Sequence, residues 1–228
     1  MEDNLAEPLV ALPRGRQFAL TWSIPDNFGG MTGAMLHRSR AFRRLGERPV
    51  DILTFDARTD YPDVAKRLVD SGELIDGMSL LNLWDWMRDY TLPTELAGTL
   101  DLEKHAFDPL GSDPAYSSGM RGDVELTRTR YALDGTTALQ VDYYRTDGTL
   151  LLSDRRDVRV PGALGGRSVV LCDATGKPFR SWGSIWAFYR LWLDLLRDRE
   201  PSFMVVDSKT VANFMMTYRR KRAVTMHV

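Results

Sequence analysis

The sequence is poor in the residues that usually hold metals and disulfides. Cys172 is the single cysteine, and there are 3 histidines in 228 residues. No internal disulfide can form, and no pair of histidines or cysteines stands at metal-ligand spacing, so no metal is expected. A lone thiol fits a reducing compartment, and a cytoplasmic location is the expectation. Long apolar runs are missing too. Nothing approaches the roughly 18 residues that a membrane-spanning helix needs, and residues 1–13 are acidic and mixed where a leader would be basic and then apolar. Charge of one sign is not in excess either: 30 basic residues stand against 31 acidic ones, for a formal net charge of -1. No global field therefore draws the molecule to nucleic acid, and none is expected as a partner. The dinucleotide fingerprint is absent, because Gly29-Gly30-Met31-Thr32-Gly33 does not fit G-x-G-x-x-G. There is no Gly-Lys-Ser/Thr phosphate loop, and a nucleotide-dependent oxidoreductase is disfavoured.

What is present reads as an α/β pattern interrupted by β structure. Residues 18–24, FALTWSI, form an apolar β-prone run that stops at Pro25 and opens into Asp26-Asn27-Phe28-Gly29-Gly30. Met31, Met35, Phe42 and Leu45 then share a helical face, with Gly46 as the stop. A second strand is expected over 50–55. Asp60 is the expected N-cap of a helix over about 61–70, with Pro62 early and Gly72 at its end. Strand, helix, strand, helix opens a parallel sheet. From about 124 to 172 the helical period disappears. Short alternating runs are separated by Asp134-Gly135, Asp147-Gly148 and Ala174-Thr175-Gly176. Asp-Gly tolerates the positive φ of tight hairpin turns, so 124–182 reads as an antiparallel meander. The α/β pattern returns with a helix over 184–197, a strand over 203–206, a helix capped by Asp207 or Ser208, and a strand starting at Ala223. A domain rarely stops on a strand, and the sequence reads as truncated.

Few residues suggest chemistry. The Gly29-Gly30 turn lies where an open α/β sheet receives ligands. Glycine lets a ligand approach the backbone, and the helix start offers free N–H groups to an anion. A plain tight turn explains the pair equally well. Asp207, at a strand end, reads first as a helix N-cap. His227 reads first as a structural strand residue. Trp84, Trp86, Trp182, Trp186 and Trp192 read as core before they read as sugar-stacking rings. The basic run Arg219-Arg220-Lys221-Arg222 reads as a solvated helix end complementing the dipole.

Three segments together resemble a known family: FALTWSIPDNFGGMTGAMLHRSRAFRRLG, the Asp-Gly-rich meander, and PSFMVVDSKTVANFMMTYRRKRAVTMHV. Their layout resembles the family-four retaining glycosyltransferases of the GT-B fold. More narrowly it is similar to the bacterial subgroup with an inserted β-sheet domain, which includes teichoic-acid α-glycosyltransferases and the N-acetylglucosaminyltransferases of serine-rich adhesins. The resemblance implies a Rossmann-like parallel sheet, the N-terminal half of a GT-B fold, carrying an inserted antiparallel β-meander. It places the acceptor-side domain at 1–99 and 183–228, the inserted sheet at 100–182, and the nucleotide-sugar domain outside the chain. Gly29, Gly30 and Met31 would approach the donor phosphates; the family also places a histidine just after the strand that starts at Ala223, and His227 would be that residue, a catalytic candidate, or lie just before it. The implied co-substrate is a nucleotide-sugar, with no further cofactor. The implied acceptor is a cell-surface polymer, protein or glycan, close to a membrane surface. The implied partner is a second copy or a partner glycosyltransferase subunit, met through the meander. The fragment alone would be inactive. The competing expectation is a non-catalytic assembly or binding module acting through the meander's edges.

Overall fold

The structure is a computed structural model that describes residues 11–158 and 166–228. It contains a five-stranded sheet and a six-stranded sheet. The chain divides into two compact units: residues up to Leu83 together with Trp192–Val228, and Trp84–Leu191 between them.

The first unit carries the parallel sheet. Its strands are β1 (Arg16–Leu20), β2 (Val50–Thr54), β3 (Met78–Asn82), β10 (Ser202–Val206) and β11 (Ala223–His227). They lie in the order β11-β10-β1-β2-β3, and each pairing is parallel. Four of five residues are buried in both β1 and β2, the near-continuous burial of a strand covered on two faces. One face belongs to helices α1 (Gly30–Gly46) and α2 (Tyr61–Asp70). Ala19, Val50 and Ile52 meet Met35, Leu36, Val64 and Leu68 there in one core cluster. On the other side Phe55 stands edge-on to Trp192 at 5.3 Å and to Phe214 at 5.1 Å. Those rings come from the second half of α4 (Ile185–Arg197) and from α5 (Lys209–Met215).

The second unit is a meander of consecutive antiparallel strands: β4 (Ser117–Arg121), β5 (Val124–Tyr131), β6 (Ala138–Tyr144), β7 (Leu150–Val158), β8 (Gly166–Cys172) and β9 (Pro178–Trp182). Leu151, Leu152 and Val169 to Leu171 are fully buried. The α/β class with an inserted meander therefore stands as expected, with one strand more at its start than 124–182 allows. SSGMR of β4 is exposed or half-exposed along its whole length, so it has no alternation to betray it. The turns follow the expected chemistry. Gly135, Gly148 and Gly176 adopt φ of 69, 83 and 80, and in each turn the preceding aspartate accepts backbone N–H groups two or more residues on.

Several local expectations shift. The first strand is Arg16–Leu20 where 18–24 is expected, since Pro25 and the turn that precedes it pull the chain off the sheet early. Gly46 ends α1 from inside, and Glu47 takes the left-handed position with φ 53. A Cβ on Gly46 would sit 2.5 Å from Leu12 Cδ1, so that glycine serves close packing. Strand β3 and helix α3 (Leu83–Asp89) have no counterpart in the sequence reading. Among the tryptophans, Trp84 and Trp192 are core as expected, whereas Trp186 is 41% exposed. The basic run lies beyond α5, which ends at Met215. It therefore sits in a turn and does not complement that helix's last residues, and Arg220 instead forks onto Asp194 at 2.8 Å.

Candidate functional site

From β1 the chain moves through α1 to β2 on one side, and β10 later pairs on the other side of β1. The order reverses between β1 and β10. Ligands of open α/β sheets sit outside the carboxyl ends of the strands at such a reversal. The segment leaving β1 is held near the sheet at first: Thr21 N–H donates to the Leu53 carbonyl at 3.0 Å, and the N–H groups of Phe55 and Asp56 both reach the Trp22 carbonyl. It then runs through Pro25 to Gly29, the N-cap of α1.

Gly29 is extended, with φ -144, and no side chain caps the helix. Gly30 has φ 45, a left-handed conformation that costs a side-chain-bearing residue about 1–2 kcal/mol. The first turn of α1 contains no acid. A Cβ built on Gly29, Gly30 or Gly33 would meet nothing within 4 Å. The first amides of a 17-residue helix thus stand beside open space, with the partial positive charge of the dipole behind them. Met31 is 60% exposed beside them. This is a ready seat for an anion.

Arg58 fixes the loop that leads to the glycines. Its guanidinium donates to the Ile24 carbonyl at 2.9 Å and to Asp26 at 2.8 Å. It also forks onto both oxygens of Asp60 at 2.6 Å. Arg67 adds a second bond to Asp26 at 2.6 Å. The hydrogen bond from Arg58 holds the Asp60 carboxyl below its usual range. Asp60 does precede α2, but its side chain makes no capping bond: the guanidinium beside it takes the carboxylate instead. Burial pushes the neighbouring Asp56 carboxyl up, although Tyr61 and Arg58 oppose this. Asn82, at the end of β3, donates to the Asp56 carbonyl at 2.9 Å and to Thr54 Oγ1 at 3.1 Å.

Asp207 is not the helix cap expected of it. Ser208 occupies the N-cap of α5 and accepts from Val211 N–H. Asp207 is 3% exposed and receives a two-pronged bond from Arg38 of α1, one prong at 2.9 Å. An aspartate just past the end of β10 thereby latches the helix that follows β1, across the reversal itself. His227 ends β11, opposite Val206 of β10, and is exposed. Gly29, Asp207 and His227 therefore follow or end three neighbouring strands at one edge of one sheet. His37 is exposed on α1. His105 lies in the second unit, where burial lowers its pKa. Among the described residues no group of three or more metal-ligating side chains comes together, and no helix is long and apolar enough to cross a membrane. Sequence reading missed Arg38, Asp56 and Arg58. A polar residue just past a strand's carboxyl end was the available signal for Asp56.

No family model matches the chain. Over 93 residues it is 27% identical to the poly(ribitol-phosphate) alpha-N-acetylglucosaminyltransferase of Staphylococcus aureus (strain COL), a match covering 41% of this chain and 19% of that protein. The crystal structure of TarM matches with a TM-score of 0.65 and 15% identity, over 94% of this chain and 50% of TarM. A point mutant of S. aureus TarM, in complex with Fondaparinux, alpha-GlcNAc-glycerol and UDP, matches with a TM-score of 0.62 and 15% identity, over 93% of this chain and 50% of the mutant's. The fold is shared with TarM. The resemblance drawn from the sequence is borne out, and the chain spans about half the length of these structural relatives.

Proposed function

We propose that this chain is the acceptor-side part of a retaining glycosyltransferase, which moves a sugar from a nucleotide-sugar to a cell-surface polymer, protein or glycan. The observation that carries the reading is the uncapped, acid-free start of α1 at Gly29-Gly30, beside the strand reversal. In such a transfer the bond between the anomeric carbon and the diphosphate oxygen breaks. The acceptor oxygen bonds to that carbon, and its proton passes to the departing diphosphate. The leaving group gathers negative charge, and preorganised amides lower the barrier by meeting that charge as it develops. Arg58 and the Arg38–Asp207 latch would keep those amides in place, and no metal is required of this part. The named activity of the staphylococcal relative and the UDP held by the TarM mutant support the choice of reaction. The groups that hold the nucleotide would come from a second domain, which agrees with the half-length match to TarM.

The test uses the full protein that contains this chain. Gly30→Val forces a branched side chain into φ 45 and tilts the first amides. Nucleotide release from a nucleoside diphosphate-sugar should then fall roughly tenfold or more in kcat, with the acceptor KM little changed. Unaltered kcat in a variant with wild-type circular dichroism would sink the reading. Residues 1–228 alone should release no nucleotide, and turnover by them alone would equally refute the division of labour.

A further inference from the structure

The second unit carries a polar row across one sheet face, in which Gln140 and Ser168 tie down the chain at Asp108 and Ala106 and two arginines do not. In β5, β6 and β7, Arg130 pairs with Gln140, and Gln140 with Arg155. Arg155 in turn pairs with Ser168 of β8. Four neighbouring strands thus present one unbroken polar row, where a half-buried sheet face is ordinarily apolar. Asp157 stands two residues further along β7, within hydrogen-bond reach of both arginines. It accepts from Arg130 at 2.7 Å and from Arg155 at 2.9 Å.

Over this row lies a cavity of about 320 Å³, lined by Asp108, Tyr116, Arg130, Gln140, Arg155 and Asp157 among others. Its rim is fixed from below. Gln140 is 2% exposed and donates to the Asp108 carbonyl at 2.8 Å. The buried Asp142 accepts from Leu110 N–H at 2.6 Å, and Arg128 holds the carbonyls of Leu110 and Gly111. A loop tied at four points, one of them fully buried, is preorganised, as binding sites are. Each arginine gives one nitrogen to Asp157, and the remaining guanidinium edge of Arg130 has no hydrogen-bond partner among the described residues. Arg155 has only a 3.8 Å approach to the exposed Asp108 besides. The cavity therefore offers two guanidinium edges, which suit a phosphate. Beside them stand acceptor and hydroxyl groups from Gln140, Asp108 and Tyr116, which suit neighbouring alcohols.

We propose that this cavity binds a hydroxylated phosphate ester, with the phosphate on Arg130 and Arg155 and the hydroxyls on Gln140, Asp108 and Tyr116. The assignment is independent of the transferase reading, because it concerns binding by the second unit alone. The same chemistry occurs in free polyol phosphates and in the diester repeats of polyol-phosphate polymers. Titration calorimetry on the whole chain with glycerol 3-phosphate, bis(glycero)phosphate, glycerol and inorganic phosphate separates the cases. Saturable binding of one glycerol ester, at least about tenfold tighter than inorganic phosphate or glycerol, is expected. A preference for the diester assigns the polymer and a preference for the monoester the free compound. Arg130→Gln with Arg155→Gln should weaken binding about tenfold or more, and Tyr116→Phe, which removes one hydroxyl, serves if the double variant does not fold. Undiminished binding in every folded variant, equal affinity for inorganic phosphate, or no saturable binding of either ester would overturn the proposal.

Discussion

Asp207 shows how much one buried charge can decide. It is 3% exposed and faces Arg38, whose side chain is 24% exposed, so the pair is largely shielded from water. Removing one partner of such a pair leaves a charge with neither solvent nor counter-ion. Arg38→Leu is therefore expected to lower unfolding stability by about 3–5 kcal/mol, measured by urea denaturation at neutral pH. Adding Asp207→Asn to it should restore much of the loss, because the uncompensated charge is gone. A loss under about 0.5 kcal/mol for Arg38→Leu would put the pair with ordinary surface ion pairs and remove it as the latch of α1. The same logic separates Asp207 from Asp60, whose carboxylate also meets an arginine but is about 39% exposed. Local sequence suggests capping for both aspartates, and a guanidinium takes each, from 169 residues away for Asp207 and from 2 residues away for Asp60.

At the scale of elements, the hairpins of the meander are built by turn chemistry that is written locally. Asp134 accepts from Thr136 and Thr137 N–H at 2.9 and 2.8 Å and from the Thr137 hydroxyl at 2.5 Å. The bond from Thr137 leads in holding its carboxyl down to about 2. Asp147 and Asp173 are lowered in the same way by bonds from Thr149 and Thr175. The folded value lies below that of a free aspartate, about 3.9. The turns therefore contribute stability that is complete above that value and is lost as pH falls through each folded value, which for Asp134 is about 2. Carboxyl-carbon NMR should titrate Asp134 near 2, with Thr137 amide exchange accelerating over the same window. A midpoint at the free value would mean that the turn bonds do not form. These hairpins were legible because an Asp-Gly pair needs no distant partner. Strand β3 and helix α3 were not, because MSLLN runs straight into LWDWMRD with leucines on both sides of the junction. No turn residue marks where period two becomes period 3.6.

The molecule as a whole sets the limit on what sequence can reveal. The Gly29-Gly30 turn could be located because its signal is contiguous. The groups that fix it are drawn from far away: Arg38 and Asp207 are 169 residues apart, and Arg58 and Asp26 are 32 apart. The reason is the discontinuity of the first unit, whose two stretches flank the second. β1 is central and draws one of its two neighbours, β10, from beyond the entire meander. Pairing across such a separation pays a loop-closure entropy before any contact rewards it. The meander has no such debt, since every one of its strands pairs with the next in sequence. A chain ending at residue 200 should therefore keep slow amide exchange in β6, β7 and β8, which are bonded entirely within Trp84–Leu191. The same chain should lose protection in β1 and β2, because one edge of β1 is bare and Phe55 lacks Phe214. Hydrogen-exchange mass spectrometry on the truncated and whole chains reads both outcomes at once. Protection that falls together in the two sheets would show that the meander's order depends on the parallel sheet, and that contact-defined units do not act as separate folding units here.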